Sequence, residues 1–280
     1  MPVLVSGRSN WMFREIFAAE DFDHRRNEAD VLLLPGSGNS RYVTGFACSD
    51  RCVEEALGLR YDVFNLELGE GLDESVWTGL DRDPFDSQMT HLVVLDNTSG
   101  RVVGTYRLQT AAQALEGSGF YSAREYDLTP LEPFFPELVE AGRACIARDH
   151  RSLGALMALW LGIGAFMNLH GSRYLFGCCS LTSRDPDDGW RALKTLRAKG
   201  HLHPIHELTT REPFRCGANL REFSPDLGPS IPLPKLFGIY MQLGAWVISE
   251  PAIDREFGTV DFLVLLDGKR VKFSPLDVLR

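Results

Sequence analysis

The chain has 280 residues, 44 % hydrophobic and 24 % charged, with 38 acidic against 29 basic side chains and a formal net charge of −9. That mix belongs to a folded globule with a substantial core and excludes a disordered chain. The acidic balance argues against nucleic acid as a partner, since a polyanion binder needs a basic face. The N-terminal residues Met1 to Asn10 lack the charged start and long apolar run of a secretory signal. The six cysteines, Cys48, Cys52, Cys145, Cys178, Cys179 and Cys216, are therefore read as free thiols of a protein in the reducing cytoplasm.

Residues 1–45 are polar and irregular apart from Val31 to Leu34, and are expected to form a peripheral extension to a main domain over 46–280. Val53, Ala56, Leu57, Tyr61, Phe64 and Leu68 recur at helical spacing, predicting a helix from Arg51 to Leu68, capped by Asp50 and stopped by Gly69. Arg60 falls inside its apolar stripe. It is either a snorkelling side chain or a buried cation holding an anionic partner.

His91–Asp96 and Arg101–Thr110 read as a hairpin, and Leu138–Ile146 as a further strand. Leu153 to Leu169 follows with no charged residue. Its length is near the lower limit for a membrane span, but Gly154, Gly162, Gly164 and Asn168 dilute it, and a helix buried against a sheet is the expectation. Arg173–Leu181 reads as a strand and Asp185–Lys199 as a helix with Pro186 in its first turn. A proline-rich connector over 223–234 precedes a helix at 233–243 and strands at 245–249 and 260–266. The order predicts an α/β fold: a mixed central sheet flanked by helices.

Glu140 and Arg143 lie three apart, which in a regular strand sends them to opposite faces. Gly142 between them permits a bulge that brings both to one side. A carboxylate to take a proton and a free backbone N–H to hold an oxyanion suit acyl transfer; a structural ion pair accounts for the same residues. His201, His203 and His206 with Glu207 invite a metal reading, yet they surround Pro204 in a polar segment, and a surface loop without metal is expected.

The ordered segments LRYDVFNLELG (59–69), DPFDSQMTHL (83–92), VVGTYRL (102–108), FYSAREYDL (120–128), VEAGRACI (139–146), RYLFGCCSL (173–181) and PAIDREFGTVDFLVLLD (251–267) resemble the ornithine N-acyltransferase family. The resemblance implies a GCN5-related N-acetyltransferase fold. It implies transfer of a 3-hydroxy fatty acyl group from acyl carrier protein to the α-amine of ornithine, giving lyso-ornithine lipid. Acyl-acyl carrier protein is then a co-substrate and no cofactor is needed.

A more distant similarity to acyl-homoserine-lactone synthases matches Arg60 and Phe64, Asp83 and Asp86, Arg107, and the Glu140–Arg143 pair, and implies that Glu140 is the general base. It offers Trp77 as the counterpart of a tryptophan found between the first arginine and the aspartates. Arg148, Arg151 and Gly154 match part of an acetyltransferase phosphate cradle, and Arg191, Lys194 and Arg197 share a helix face that would meet an acidic carrier protein. An N-acyltransferase for another amino acid, a signal synthase, and a non-catalytic acyl-carrier or lipid-binding module are the rivals. A lipid product would also entail peripheral contact with a membrane.

Overall fold

The computed structural model describes residues 30–34, 41–204, 207–217, 227–229 and 231–271. Leu92, Val93 and Val94 in one strand and Phe262 and Leu263 in another have no exposed surface, the mark of strands covered on both faces. They belong to a nine-stranded sheet ordered β1-β2-β3-β4-β5-β6-β9-β7, with β8 also on β9. The strands are β1 (Val31–Leu33), β2 (Tyr42–Ala47), β3 (Thr90–Asp96), β4 (Val102–Thr110), β5 (Leu138–Ile146), β6 (Tyr174–Leu181), β7 (Trp246–Val247), β8 (Ala252–Asp254) and β9 (Thr259–Asp267). Among the described residues every neighbouring pair of these strands is antiparallel except β5 and β6.

The helices are α1 (Asp50–Tyr61), α2 (Ser75–Thr78), α3 (Ala111–Glu116), α4 (Leu153–Leu169), α5 (Pro186–Ala198) and α6 (Lys235–Gln242). α4 has the predicted bounds, and its start is fixed by Ser152, whose hydroxyl accepts from the Ala155 N–H. Its apolarity serves the core. Ala155, Leu159, Ile163 and Phe166 are buried, and a Cβ on Gly162 would lie 2.2 Å from a Leu92 methyl. No helix among the described residues is long and apolar enough to cross a membrane.

Two expectations are corrected. The predicted boundary after residue 45 falls inside β2, which pairs with both β1 and β3 and places Tyr42, Val43 and Phe46 in the core. These short apolar runs are buried without alternation, so they carry no period-two signal. Residues 1–29 of the proposed extension lie outside the described residues. Second, the predicted helix 51–68 is α1 followed by a π-helix, Asp62–Leu68, and Ser49 rather than Asp50 caps it, accepting from the Cys52 N–H. The wider turn sets Phe64 and Leu68 on one side, and Gly69 ends it at φ 67° as expected.

The functional feature of the sheet is its parallel pair. β5 and β6 run in register only from Leu138–Glu140 opposite Tyr174–Phe176. Beyond that they separate, and a cavity lined by Ala141 to Ala144 on one strand and Gly177 to Ser180 on the other opens between them. Gly177 sits at the fork, where a Cβ would lie 2.1 Å from the Ala141 carbonyl oxygen. Gly177→Ala is expected to destabilise by about 1–3 kcal/mol in a urea melt, as overpacking does. Gly164→Ala in α4, where a Cβ meets nothing within 4 Å, is the neutral control.

Candidate active site

β5 carries the bulge that Gly142 suggested. Between the pairs Thr105↔Cys145 and Arg107↔Gly142 there is an extra β5 residue. The left-handed residue is Arg143 itself, at φ 54°, and not the glycine. The bulge turns Arg143 to the same side as Glu140, and both line the cavity.

Arg143 joins a buried lattice of three arginines and three aspartates. Arg60 donates Nε to Asp81 (2.7 Å) and Nη1 to Asp86 (2.6 Å). Arg107 donates Nη1 to Asp83 (2.6 Å) and Asp86 (3.1 Å). Arg143 donates Nη2 to Asp83 (3.2 Å), stands 3.3 Å from Asp81, and covers the Phe257 ring at 4.2 Å. Arg60 is thus a buried cation holding anionic partners.

Asp83 and Asp86 also cap the 3-10 turn Pro84–Ser87 reciprocally, which pins both carboxylates. Burial alone would raise the Asp86 carboxyl, but Arg60 and Arg107 outweigh it and hold it far below the usual range; Arg107 and Arg143 likewise outweigh burial at Asp83 and lower its carboxyl. Asp81 carried no motif and was not singled out in the sequence. The lattice is matched in charge, but Arg107 Nε has no hydrogen-bond partner. That atom is buried beside Gly142, where a Cβ would lie in ordinary contact with it at 3.7 Å.

Glu140 faces a different set of partners. Its Oε1 accepts from the Ser122 N–H (2.7 Å) and hydroxyl (2.5 Å), and its Oε2 from the Tyr121 N–H (2.9 Å) and the Gln109 side chain (2.6 Å). It caps the 3-10 turn Tyr121–Arg124 from across the sheet. All four lone-pair directions of the carboxylate are taken. An amine therefore has no direct approach to Glu140, and the group positioned to pass it a proton is the Ser122 hydroxyl, which lies on the cavity wall.

The cavity is about 300 Å³. Tyr106, Trp160, Leu236, Phe237, Tyr240 and Leu266 line an apolar part, while Arg107, Arg143, Tyr121, Ser122, Glu140 and Asp261 contribute the polar part. α4 supplies Trp160 to this wall, and α6 supplies more of it. Phe64 lines the cavity and packs edge-on against Phe257. Cys145 is buried and is not part of the cavity wall, and burial pushes its thiol up to about 12.

Other expected site residues stand apart. Trp77 on α2 is 89 % exposed and is not part of the cavity wall. Arg151 donates to both carboxylate oxygens of Glu67 (2.5 and 2.8 Å) and to the Ile146 carbonyl (3.2 Å). Gly154 is explained by packing, since a Cβ would meet the Tyr42 ring at 3.3 Å. Arg148 is exposed on the turn before α4.

Arg191 is tied to Asp188 and the Leu227 carbonyl, and Arg197 lies 3.6 Å from Glu207; Lys194 is exposed between them. The basic face is thus partly neutralised by its own neighbours. His203 packs edge-on against Trp246, and His206 lies outside the described residues.

A mixed sheet split at a parallel pair, with a bulged strand and a half-apolar cavity at the fork, is the architecture of the acetyltransferase fold, and comparison with known proteins makes the chain an N-acyltransferase. The Acetyltransferase (GNAT) domain family matches residues 59–161, from α1 through the bulge into α4. The L-ornithine N(alpha)-acyltransferase of Agrobacterium fabrum is 30 % identical, over 89 % of this chain and 92 % of its own length. That of Rhodobacter capsulatus is 33 % identical over 75 % of this chain and 83 % of its own. The chain belongs to the L-ornithine N(alpha)-acyltransferase family. Among solved structures, FeeM, an N-acyl amino acid synthase from uncultured soil microbes, gives a TM-score of 0.48 at 11 % identity, covering 82 % of this chain and 92 % of that one.

Proposed function

We propose that this enzyme moves a 3-hydroxy fatty acyl group from acyl carrier protein to the α-amine of ornithine. The observation that carries this is the cavity at the β5–β6 fork, where an apolar channel meets the Ser122–Glu140 pair and the unpaired Arg107 Nε. The apolar part takes the acyl chain. The separated strand edges face the thioester and its amide-bearing arm, and Arg107 receives the acceptor carboxylate. The names of the relatives supply ornithine as the acceptor.

The neutral α-amine attacks the thioester carbonyl, and a backbone N–H of the bulge at Gly142–Ala144 holds the oxyanion. The amine proton passes to Ser122 Oγ as the Ser122 hydroxyl proton passes to Glu140. The C–S bond then breaks, and the thiolate recovers that proton by the reverse path. Exposed Arg148 and Lys194 serve the acidic carrier. The apolar side chains Leu66, Leu68, Val76 and Trp77, exposed on the π-helix and α2, suit contact of this cytoplasmic protein with the membrane that receives its lipid product.

Purified protein incubated with 3-hydroxyacyl carrier protein and single amino acids is expected to release thiol with ornithine. No release with any amine would overturn the reading, and release with S-adenosylmethionine in place of ornithine would make the protein a signal synthase.

A further inference from the structure

We propose that Glu125 and Asp261, beside Cys178 at the polar part of the cavity, receive the side-chain ammonium of the acceptor and so select a diamino acid. The proposal rests on the amino-acid acceptor inferred above and assigns the residues that choose among such acceptors.

The geometry is that of a cation receptor. A carboxylate oxygen of Glu125, one of Asp261 and the Cys178 sulfur all lie within 4.8 Å of one another. Asp261 and Cys178 form part of the cavity wall, with Glu125 behind them. Glu125 is 1 % exposed and Asp261 4 %, yet both side-chain oxygens of Glu125 and Oδ1 of Asp261 have no hydrogen-bond partner.

Among the described residues no lysine or arginine lies within ion-pair distance of either. The arginines of this region are already matched by Asp81, Asp83 and Asp86, and Arg124 pairs outward with Glu256. Asp254 adds a third buried acid, accepting from the Tyr121 hydroxyl and from the N–H groups of Glu256 and Phe257. Unpaired acceptors buried this deeply are strongly unfavourable unless a guest satisfies them.

The position fits the reacting groups. Cys178 Sγ lies 3.6 Å from Ser122 Oγ, the group that meets the α-amine, and within 4.8 Å of both carboxylates. A few methylenes of an acceptor side chain span that gap, with Arg107 Nε left for its carboxylate. An extended diamino acid thus finds an unpaired donor for its anion and unpaired acceptors for its second cation. Burial, reinforced by their mutual repulsion and by Asp254, raises the Glu125 carboxyl; burial likewise raises that of Asp261. An ammonium guest reverses both effects. A metal ion held by the same three groups would have to displace the Cys178 proton, whereas an ammonium needs only the two carboxylates.

The test compares ornithine with norvaline, which has the same carbon chain without the second amine. The parent enzyme is expected to acylate ornithine in strong preference to norvaline. Glu125→Gln and Asp261→Asn are expected to raise KM for ornithine by about 30-fold or more, as loss of one partner of a buried charge pair does. Norvaline kinetics and kcat should change little, so the preference collapses. Ornithine but not norvaline should also raise the melting temperature of the unmodified parent, a readout that needs no variant to fold.

A parent that acylates ornithine while both variants keep its preference would overturn the proposal and leave the acceptor reading standing. Equal use of the two amino acids by the parent would do the same. No acylation of either would instead bring down the acceptor reading itself. A preference abolished by chelator and restored by zinc would overturn the proposal in favour of a metal.

Discussion

Glu140→Gln is expected to lower kcat by about 100- to 10,000-fold, the range that a positioned proton acceptor contributes. The carboxylate accepts four hydrogen bonds, two from the backbone N–H groups of Tyr121 and Ser122 and two from the side chains of Ser122 and Gln109. An amide has a single oxygen, so its NH2 would face at least one N–H donor and loosen the turn. The variant therefore loses both the proton sink and part of the scaffold, and a fall in melting temperature should accompany the loss of turnover.

Ser122→Ala separates the two roles. It removes the relay hydroxyl but leaves Glu140 its bonds to both N–H groups and to Gln109. Single-turnover acyl transfer should drop comparably while thermal stability stays close to the parent's. If Ser122→Ala transfers acyl groups at the parental rate, the relay is wrong and Glu140 acts only by holding the turn.

What the sequence disclosed depends on whether the signal was local. α4 and β5 were legible to the residue because each is a sustained local pattern, an uncharged run over 153–169 and an apolar stretch over 138–146. β1 and β2 were not, because a buried strand of three to six residues shows neither alternation nor helical period. The bulge was announced by Gly142, yet the left-handed residue is Arg143, whose bonds to Asp83 and Tyr121 offset a conformation that costs about 1–2 kcal/mol.

The acidic pocket was beyond reach. Glu125 and Asp261 both stood in segments carrying the family resemblance, but neither has a local neighbour that gives it meaning. Their carboxylates meet only because β9 pairs with β6 and brings Asp261 opposite Ser180, while Glu140 holds the turn that bears Glu125. The ion pairs of Arg151 with Glu67 and of Arg191 with Asp188 were equally unannounced by the motifs those arginines carry.

Arg60→Met is expected to destabilise the fold by about 3–5 kcal/mol, the effect of removing one partner from a buried ion pair. Arg60 is 1 % exposed and holds Asp81 through Nε and Asp86 through Nη1. Methionine fills much of the volume, so the loss measures uncompensated charge more than a cavity. Arg107 and Arg143 still contact Asp86 and Asp81, which keeps the effect short of complete unfolding.

The pH dependence gives a second check. In the parent, arginines hold the Asp83 and Asp86 carboxyls below their unfolded value of about 3.9. The unfolded chain then binds protons first as pH falls, so this stabilisation is complete above about pH 5 and is lost as pH drops through the folded values. In the variant, Asp86 loses its leading cation, its carboxyl rises, and less of that stabilisation exists to lose. Urea melts should therefore show the largest gap between parent and variant at neutral pH, narrowing as pH falls below about 4. A gap that stays constant down to acid pH would mean that Arg60 acts through packing, and that the aspartates owe their ionisation to Arg107 and Arg143.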